Sequence, residues 1–345
     1  MVNVGLIGCG SIARKRHLSE LSSNPNAKIV AVCDIVRERA DEIAAEHGAK
    51  AYYDYKGVIG HSGIDAVLVL ATNVLHSKMT VEALKAGKHV LCEKPMATSL
   101  GDAEAMIKAA DETGRNLMIG HNQRLAPAHV KAKEILSSGR LGKVQTFRTT
   151  FGHQGCEGWA IDGRNTWFFE KRHVGLGTMA DLGIHKADLL RWLLDETFCE
   201  AAAFTGTLEK RYAYGKDKGK PIDVEDNAVC LIRGKGGVMG TITASWSYKK
   251  EDNSTTLYCD DGVMTLFGPT GHDIAVMYAD GSREFHDITG IQTNARQSDS
   301  GVSALFIKEI VSGVKPEIDG REGYEALKIV MACMESAEKG TVVRF

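Results

Sequence analysis

Short apolar runs recur through the first third of the chain at intervals that leave room for one helix each. "VNVGLIG", "KIVAVCD", "DAVLVLAT", "HVLCEK" and "NLMIGHN" are rich in Val, Ile and Leu and do not alternate with polar residues. Strands of that kind are buried on both faces, as in a parallel sheet. Between them lie amphipathic, alanine-rich segments: "SIARKRHLSEL", "RERADEIAAEHG", "HSKMTVEALKAG" and "LGDAEAMIKAADETG". Gly48, Gly87 and Gly114 follow three of these, where left-handed helix caps belong. The pattern predicts an α/β fold, a doubly wound domain over residues 1–123.

The rhythm changes after residue 123. "KVQTFRTTFGH" is long and alternating. "DNAVCLIRGKGGVMGTITASWSY" reads as two antiparallel strands joined at Gly234 to Gly237, and "STTLYCDDGVMTLFG" as a hairpin turning at Asp261-Gly262. The helix "LGIHKADLLRWLL" precedes these strands, and "SALFIKEIVSG" and "REGYEALKIVMACMESAEKG" close the chain. Residues 124–345 therefore predict an α+β domain with an antiparallel sheet. No repeat or low-complexity linker separates the halves.

Composition narrows the class. A chain of 345 residues is longer than one core organises. Its formal charge of −2 implies no general affinity for nucleic acid or acidic membranes. Eight cysteines occur without a C-x-x-C pair, so no metal site is expected and reduced thiols in a cytoplasm fit best. The first residues enter an apolar strand without a basic leader, and no stretch is long enough to span a membrane.

Three constellations carry chemistry. In "GLIGCGSIA", Gly8, Gly10 and Ala13 have the spacing G-x-G-x-x-A between the first strand and a helix. That context suits a dinucleotide pyrophosphate, with Ser11 and Ile12 in the turn. Asp34 ends the next strand, where a carboxylate can accept from the adenosine ribose; this favours NAD. Arg37, three residues on, could swing toward a 2′-phosphate, so NADP use is possible. The second constellation is Glu93-Lys94-Pro95, placed beyond a strand end where ligands of such sheets sit. From the residues alone, Lys94 could equally lie in solvent beside a paired Glu93. The third is Asp181 and His185, four apart on one helix face. A histidine there can be a base or merely a satisfied helix residue. An ordinary imidazole would titrate near pH ~6–7.

"GLIGCGSIA", "HVLCEKPMA", "GHNQRL" and "MADLGIHKADLLRWL" together resemble the glucose–fructose oxidoreductase and inositol dehydrogenase (Gfo/Idh/MocA) family over nearly the whole chain. The resemblance implies a Rossmann domain followed by an α+β domain with a large open, mainly antiparallel sheet. It implies an NAD(P)-dependent dehydrogenase acting on a secondary alcohol of a sugar, inositol or sugar derivative. The implied catalytic residues are Lys94, Asp181 and His185, with His185 as base and Glu93 orienting the cofactor end. Thr72 and His76 resemble the threonine and histidine of a family turn in which Asn73 replaces proline, and are expected along the cofactor with Asn122 and Arg124. His153, Arg164 and Trp167 are substrate-binding candidates by composition, although the loop could simply pack its own aromatics. A homodimer or homotetramer through the C-terminal sheet is expected. The family also holds a non-catalytic co-regulator, so an NAD(P) sensor is the alternative; such a protein has no need of Lys94, Asp181 and His185 together.

Overall fold

The computed structural model describes residues 1–210, 222–288 and 300–345. Six strands form the first sheet: β1 (Val2–Ile7), β2 (Ala27–Cys33), β3 (Lys50–Tyr52), β4 (Ala66–Val69), β5 (His89–Cys92) and β6 (Leu117–Ile119). Their order is β3-β2-β1-β4-β5-β6, and every pairing is parallel. Strands β1, β4, β5 and β6 are almost wholly buried, which is why they read as unbroken apolar runs. The order reverses between β1 and β4. Their carboxyl ends therefore diverge into a crevice.

One face of this sheet is finished by a distant part of the chain. Val302, Phe306 and Ile307 of the helix Val302–Ser312 pack with Val4, Leu6 and Leu68, and Ile318 joins them. Glu20 fastens the start of that helix. Its carboxylate accepts the N–H groups of Ser300, Gly301 and Ser303 at 2.7–3.1 Å. A division at 123/124 is thus crossed by the chain, because residues 302–318 belong to the first core. Helical periodicity reveals such a helix but not the sheet it covers.

Among the described residues the second sheet has nine strands: β7 (Val144–Gly152), β8 (Phe198–Gly206), β9 (Asn227–Gly234), β10 (Met239–Ser245), β11 (Thr255–Cys259), β12 (Gly262–Leu266), β13 (Ile274–Tyr278), β14 (Arg283–His286) and β15 (Val343–Arg344). The order is β14-β13-β12-β11-β7-β10-β9-β8-β15. Only β7 and β10 run parallel; the other pairings are antiparallel. This is the mainly antiparallel open sheet expected. The helices Ile184–Leu194 and Gly320–Lys339 lie over one face. The β11–β12 hairpin turns at Asp260–Asp261, one residue earlier than expected, because Cys259 pairs with Gly262. Gly262 is needed for a different reason: a Cβ there would stand 2.4 Å from the Met277 carbonyl on β13.

Arg124 joins the halves. Its Nε and Nη2 donate to the two carboxylate oxygens of Asp188 at 2.8 and 2.6 Å, and Nη2 also donates to Glu322 at 2.6 Å. The pair ties the turn Asn122–Leu125 to the helices Ile184–Leu194 and Gly320–Lys339. Arg124 is 4% exposed and Asp188 1%. Removing one partner of a buried pair costs about 3–5 kcal/mol, since the other charge is stranded. Arg124→Ala should therefore lower the melting midpoint by more than about 5 °C. A smaller loss in thermal denaturation would mean that the Arg124 network does not hold the two halves together.

Candidate active site

A cavity of about 1490 Å³ opens beyond the carboxyl ends of the first sheet, between the two halves of the chain. Its nucleotide end is built by the β1 loop. Gly8 has φ +105, and a Cβ on it would stand 2.5 Å from the Leu70 carbonyl oxygen, so no other residue fits. Gly10 is different. A Cβ there would meet no protein atom within 4 Å, although Gly10 lines the cavity. Its missing side chain keeps room for something outside the chain, which suits a pyrophosphate. Ser11 and Ile12 line the same wall. Asp34 stands at the rim; its Oδ2 accepts from Cys9 N and its Oδ1 from Val36 N, at 2.8 and 2.9 Å. Each oxygen keeps a second lone pair, so a ribose diol still has acceptors. These residues fit a bound NAD.

Thr72, Asn73 and His76 line the cavity as expected. The ring nitrogens of His76 lie 2.8 and 3.0 Å from the Pro95 and Ala71 carbonyl oxygens, so this side chain braces the wall. Asn73 donates to the Val174 carbonyl of the second domain at 3.1 Å. Three expectations need correction. Arg37 does not line the cavity; its guanidinium lies 4.0 Å from the Tyr53 ring centroid, and Arg39, a half-turn on, faces the cavity instead. Asn122 and Arg124 are not cavity residues either; the Arg124 guanidinium is taken up by Asp188 and Glu322. Arg164 likewise lies off the cavity, whereas His153 and Trp167 line it. Trp167 stacks on Phe168 at 4.0 Å.

The reactive end is built from buried charge. The end of β5 delivers Glu93 and then Lys94. Glu93 Oε1 accepts from Arg16 Nη1 and His17 Nε2, each at 3.0 Å. Burial alone would raise its pKa. The His17 hydrogen bond and the charges of Arg16, His17 and Lys94 outweigh that and hold it at about 2. Arg16 and His17 come from a wide, π-type turn (Ala13–His17) in the helix after the dinucleotide loop. Neither was anticipated, although two basic side chains on the inner part of that helix were the available signal. Lys94 Nζ donates to Asp181 Oδ1 at 2.8 Å and to the Asp181 carbonyl at 2.9 Å. Asp181 Oδ2 accepts from Trp246 Nε1 at 3.0 Å. Asp181 sits in a second π-type turn (Met179–Gly183), which runs into the helix carrying His185. Lys94, Asp181 and His185 thus meet on one cavity wall.

His185 packs against Phe151 and is buried. Burial, and then the charges of Lys94, His121 and Arg16, push its pKa well below the ordinary 6.5. The expectation of an ordinary imidazole near 6–7 fails for that reason. The ring is neutral at neutral pH and can accept a proton.

The comparisons agree with this geometry. Residues 2–121 match the model of the Gfo/Idh/MocA oxidoreductase family with an NAD-binding Rossmann fold, and residues 129–265 match the Gfo/Idh/MocA C-terminal domain. Inositol 2-dehydrogenase 2 of Saccharopolyspora erythraea is 30% identical over 99% of this chain and 94% of its own. The chain belongs to the Gfo/Idh/MocA family. Myo-inositol 2-dehydrogenase of Thermotoga maritima is 29% identical over 99% of this chain and 98% of its own. The structure of a levoglucosan dehydrogenase with NADH and L-sorbose superposes with a TM-score of 0.87, at 25% identity, over 99% of this chain and 98% of that one. As in the family, the protein is an oxidoreductase whose first domain binds NAD.

Gly10 offers a test that separates fold from cofactor. Because a side chain there meets only the cavity, Gly10→Val should leave the melting midpoint nearly unchanged, within the ~0.5 kcal/mol typical of harmless substitutions. It should weaken NADH binding more than about tenfold, as a clash at a close backbone–pyrophosphate contact would. Unimpaired binding in a fluorescence titration would move the pyrophosphate elsewhere.

Proposed function

We propose that this enzyme transfers a hydride between NAD and a secondary alcohol or ketone of a cyclic polyol, sugar or sugar derivative, with Lys94, Asp181 and His185 as its catalytic residues. The observation that carries the reading is the wall on which an ionised lysine, its buried carboxylate partner and a neutral histidine meet inside a cavity lined by the dinucleotide loop. Gly8, Gly10, Ser11, Ile12 and Asp34 would hold NAD, and bound NAD supplies the hydride acceptor.

The chain's own residues do the rest. Lys94 keeps one Nζ direction for Asp181 and one for its carbonyl, leaving a third proton for a substrate oxygen. As an alcohol is oxidised, charge builds on that oxygen, and a fixed ammonium donor in a dry site stabilises it. His185, uncharged, accepts the hydroxyl proton. Asp181 holds Lys94 in place, and Trp246 holds Asp181. His153, Trp159 and Trp167 line the remaining wall. Flat aromatic faces beside polar groups suit a sugar or cyclitol ring. A panel of cyclitols, aldoses and sugar derivatives, followed by NADH absorbance, tests the class; no turnover with any cyclic polyol would sink it.

The outer face of the second sheet supports an assembly of copies. Phe204, 85% exposed, lies opposite Val229 on the neighbouring strand, and Leu231 and Met239 continue the same exposed patch. The eight cysteines are free thiols, as a reducing cytoplasm would keep them. Among the described residues no helix is long and apolar enough to cross a membrane.

Three outcomes follow. Lys94→Ala should cut turnover by about 10²-fold or more while NADH still binds; near-normal turnover would remove Lys94 from the mechanism. The oxidation rate should fall with pH through the His185 pKa. Since that pKa is depressed, the acidic limb should lie below pH 6.5. Lys94→Ala, by removing a like charge, should move the limb upward, and His185→Asn should flatten it. A limb above pH 6.5 in the unmodified enzyme would point to another base. Finally, Phe204→Glu should shift the sedimentation coefficient toward that of a monomer; an unshifted oligomer would place the contact elsewhere.

A further inference from the structure

Three arginines stand around the end of the cavity where Asp34 lies, and each is already engaged. Arg14 donates from Nε to the Cys9 carbonyl at 3.1 Å and from Nη2 to Glu42 at 2.7 Å. Arg37 covers the Tyr53 ring. Arg39 Nη2 lies 2.5 Å from Asp162 Oδ1. The first two partners are local to the first domain. Asp162 is not: it comes from the loop after β7, in the second domain. That loop is fastened to the dinucleotide loop and its helix at two more points. Ile161 N donates to Ser11 Oγ at 2.6 Å, and Lys15 Nζ donates to the Trp159 carbonyl at 3.0 Å. Asp162 is therefore held against Arg39 by contacts at the residues just before it in the loop. Arg39, Asp162 and Asp34 all line the cavity.

We propose that Asp162 is a cofactor-selectivity residue, which withholds Arg39 from the 2′-phosphate of NADP by pairing with it. The proposal rests on the reading of the cavity as an NAD site. The physical case is one of competition. A 2′-phosphate carries nearly two negative charges and is best held by a guanidinium with free donors. Arg14 and Arg39 both line this cavity; Arg14 is held within the first domain by the Cys9 carbonyl and Glu42, so Arg39 is the arginine whose release depends on the second-domain loop. To reach it, the phosphate must displace the Asp162 carboxylate and lie between that group and Asp34. Both carboxylates repel it over a distance too short for salt to screen. The pair itself is partly exposed, so its own contribution to stability is small. Its effect is on which ligand Arg39 can meet. A purely mechanical role for the loop would make a different demand: loosening it would weaken both dinucleotides alike.

Calorimetric titration of NADH and NADPH into the unmodified enzyme and three variants separates these cases. In Asp162→Ala and in Asp162→Asn, the ratio of the NADH to the NADPH dissociation constant should rise about tenfold, the scale of one hydrogen bond between charged groups. Adding Arg39→Ala to Asp162→Ala should return the ratio to its starting value. An unchanged ratio in both single variants, with the two affinities falling together, would leave Asp162 a loop fastener and overturn the proposal. So would a raised ratio that survives loss of Arg39. An unmodified enzyme that binds neither dinucleotide would overturn the NAD reading itself, and this proposal with it.

Discussion

The site depends on one buried carboxylate. Glu93 sits behind the reactive lysine at 5% exposure, where an isolated charge would be costly. Arg16 and His17 supply its compensation from the helix that follows the dinucleotide loop, and His17 in turn meets the Ser303 hydroxyl at 2.7 Å. Three pieces of chain far apart in sequence are therefore tied to one anion. The first is the nucleotide-binding helix, the second the end of β5 and the third the helix that completes the first core. Glu93 Oε2 also accepts the Lys94 N–H at 3.2 Å. The backbone that aims Lys94 is thus set by the same carboxylate, and a shift of the nucleotide-binding helix would be felt at the reactive amine.

Much of this arrangement was legible in the sequence because it is local. Strand runs, glycine caps, the G-x-G-x-x-A turn, Glu93-Lys94-Pro95 and the four-residue spacing of Asp181 and His185 each report a feature within a few residues. The failures share a cause as well. Arg124 looked like a cleft residue, but its fork is filled by Asp188 and Glu322, which lie 64 and 198 residues away. Arg37 looked available, but Tyr53 is brought under it by β3. Gly262 marked a turn in the sequence and serves a close strand approach in the fold. Arg16 and His17 went unread because two basic side chains on a helix do not say which distant anion claims them. Spacing along a chain predicts which residues share an element; it does not predict which charge on another element will claim them.

The relation between the domains follows from the same economy of charge. Lys94 comes from the first domain and Asp181 from the second, so the proposed catalytic pair is also a junction between them. Asn73 to Val174, Ser11 to Ile161 and Lys15 to Trp159 add uncharged or surface contacts around the cavity mouth. The Arg124 network is both buried and bidentate. It lies on the side of the junction away from the cavity, since none of its members lines it. Strong ties behind and weaker ones at the mouth are what a cleft needs if ligands are to enter while the reactive groups stay in register.

Charge also explains why a depressed histidine suits the proposed chemistry. Arg16 and Lys94 face Glu93 and Asp181 across the reactive end, so the fixed ion pairs balance. Oxidised nicotinamide adds one positive charge and its reduced form adds none. If the alcohol proton passes to His185, the imidazole gains one positive charge as the ring loses one, and the total within the dry site is unchanged. In a medium of low dielectric, moving a charge across a few ångströms costs far less than creating one. Afterwards the surroundings that hold the His185 pKa well below 6.5 work in the forward direction: burial and the nearby Lys94 disfavour the imidazolium, so the proton leaves. A histidine of ordinary pKa would be the stronger base but would release the proton less completely at neutral pH. The burial of His185, which would also suit a packed helix residue, is what fits it for the base role proposed above.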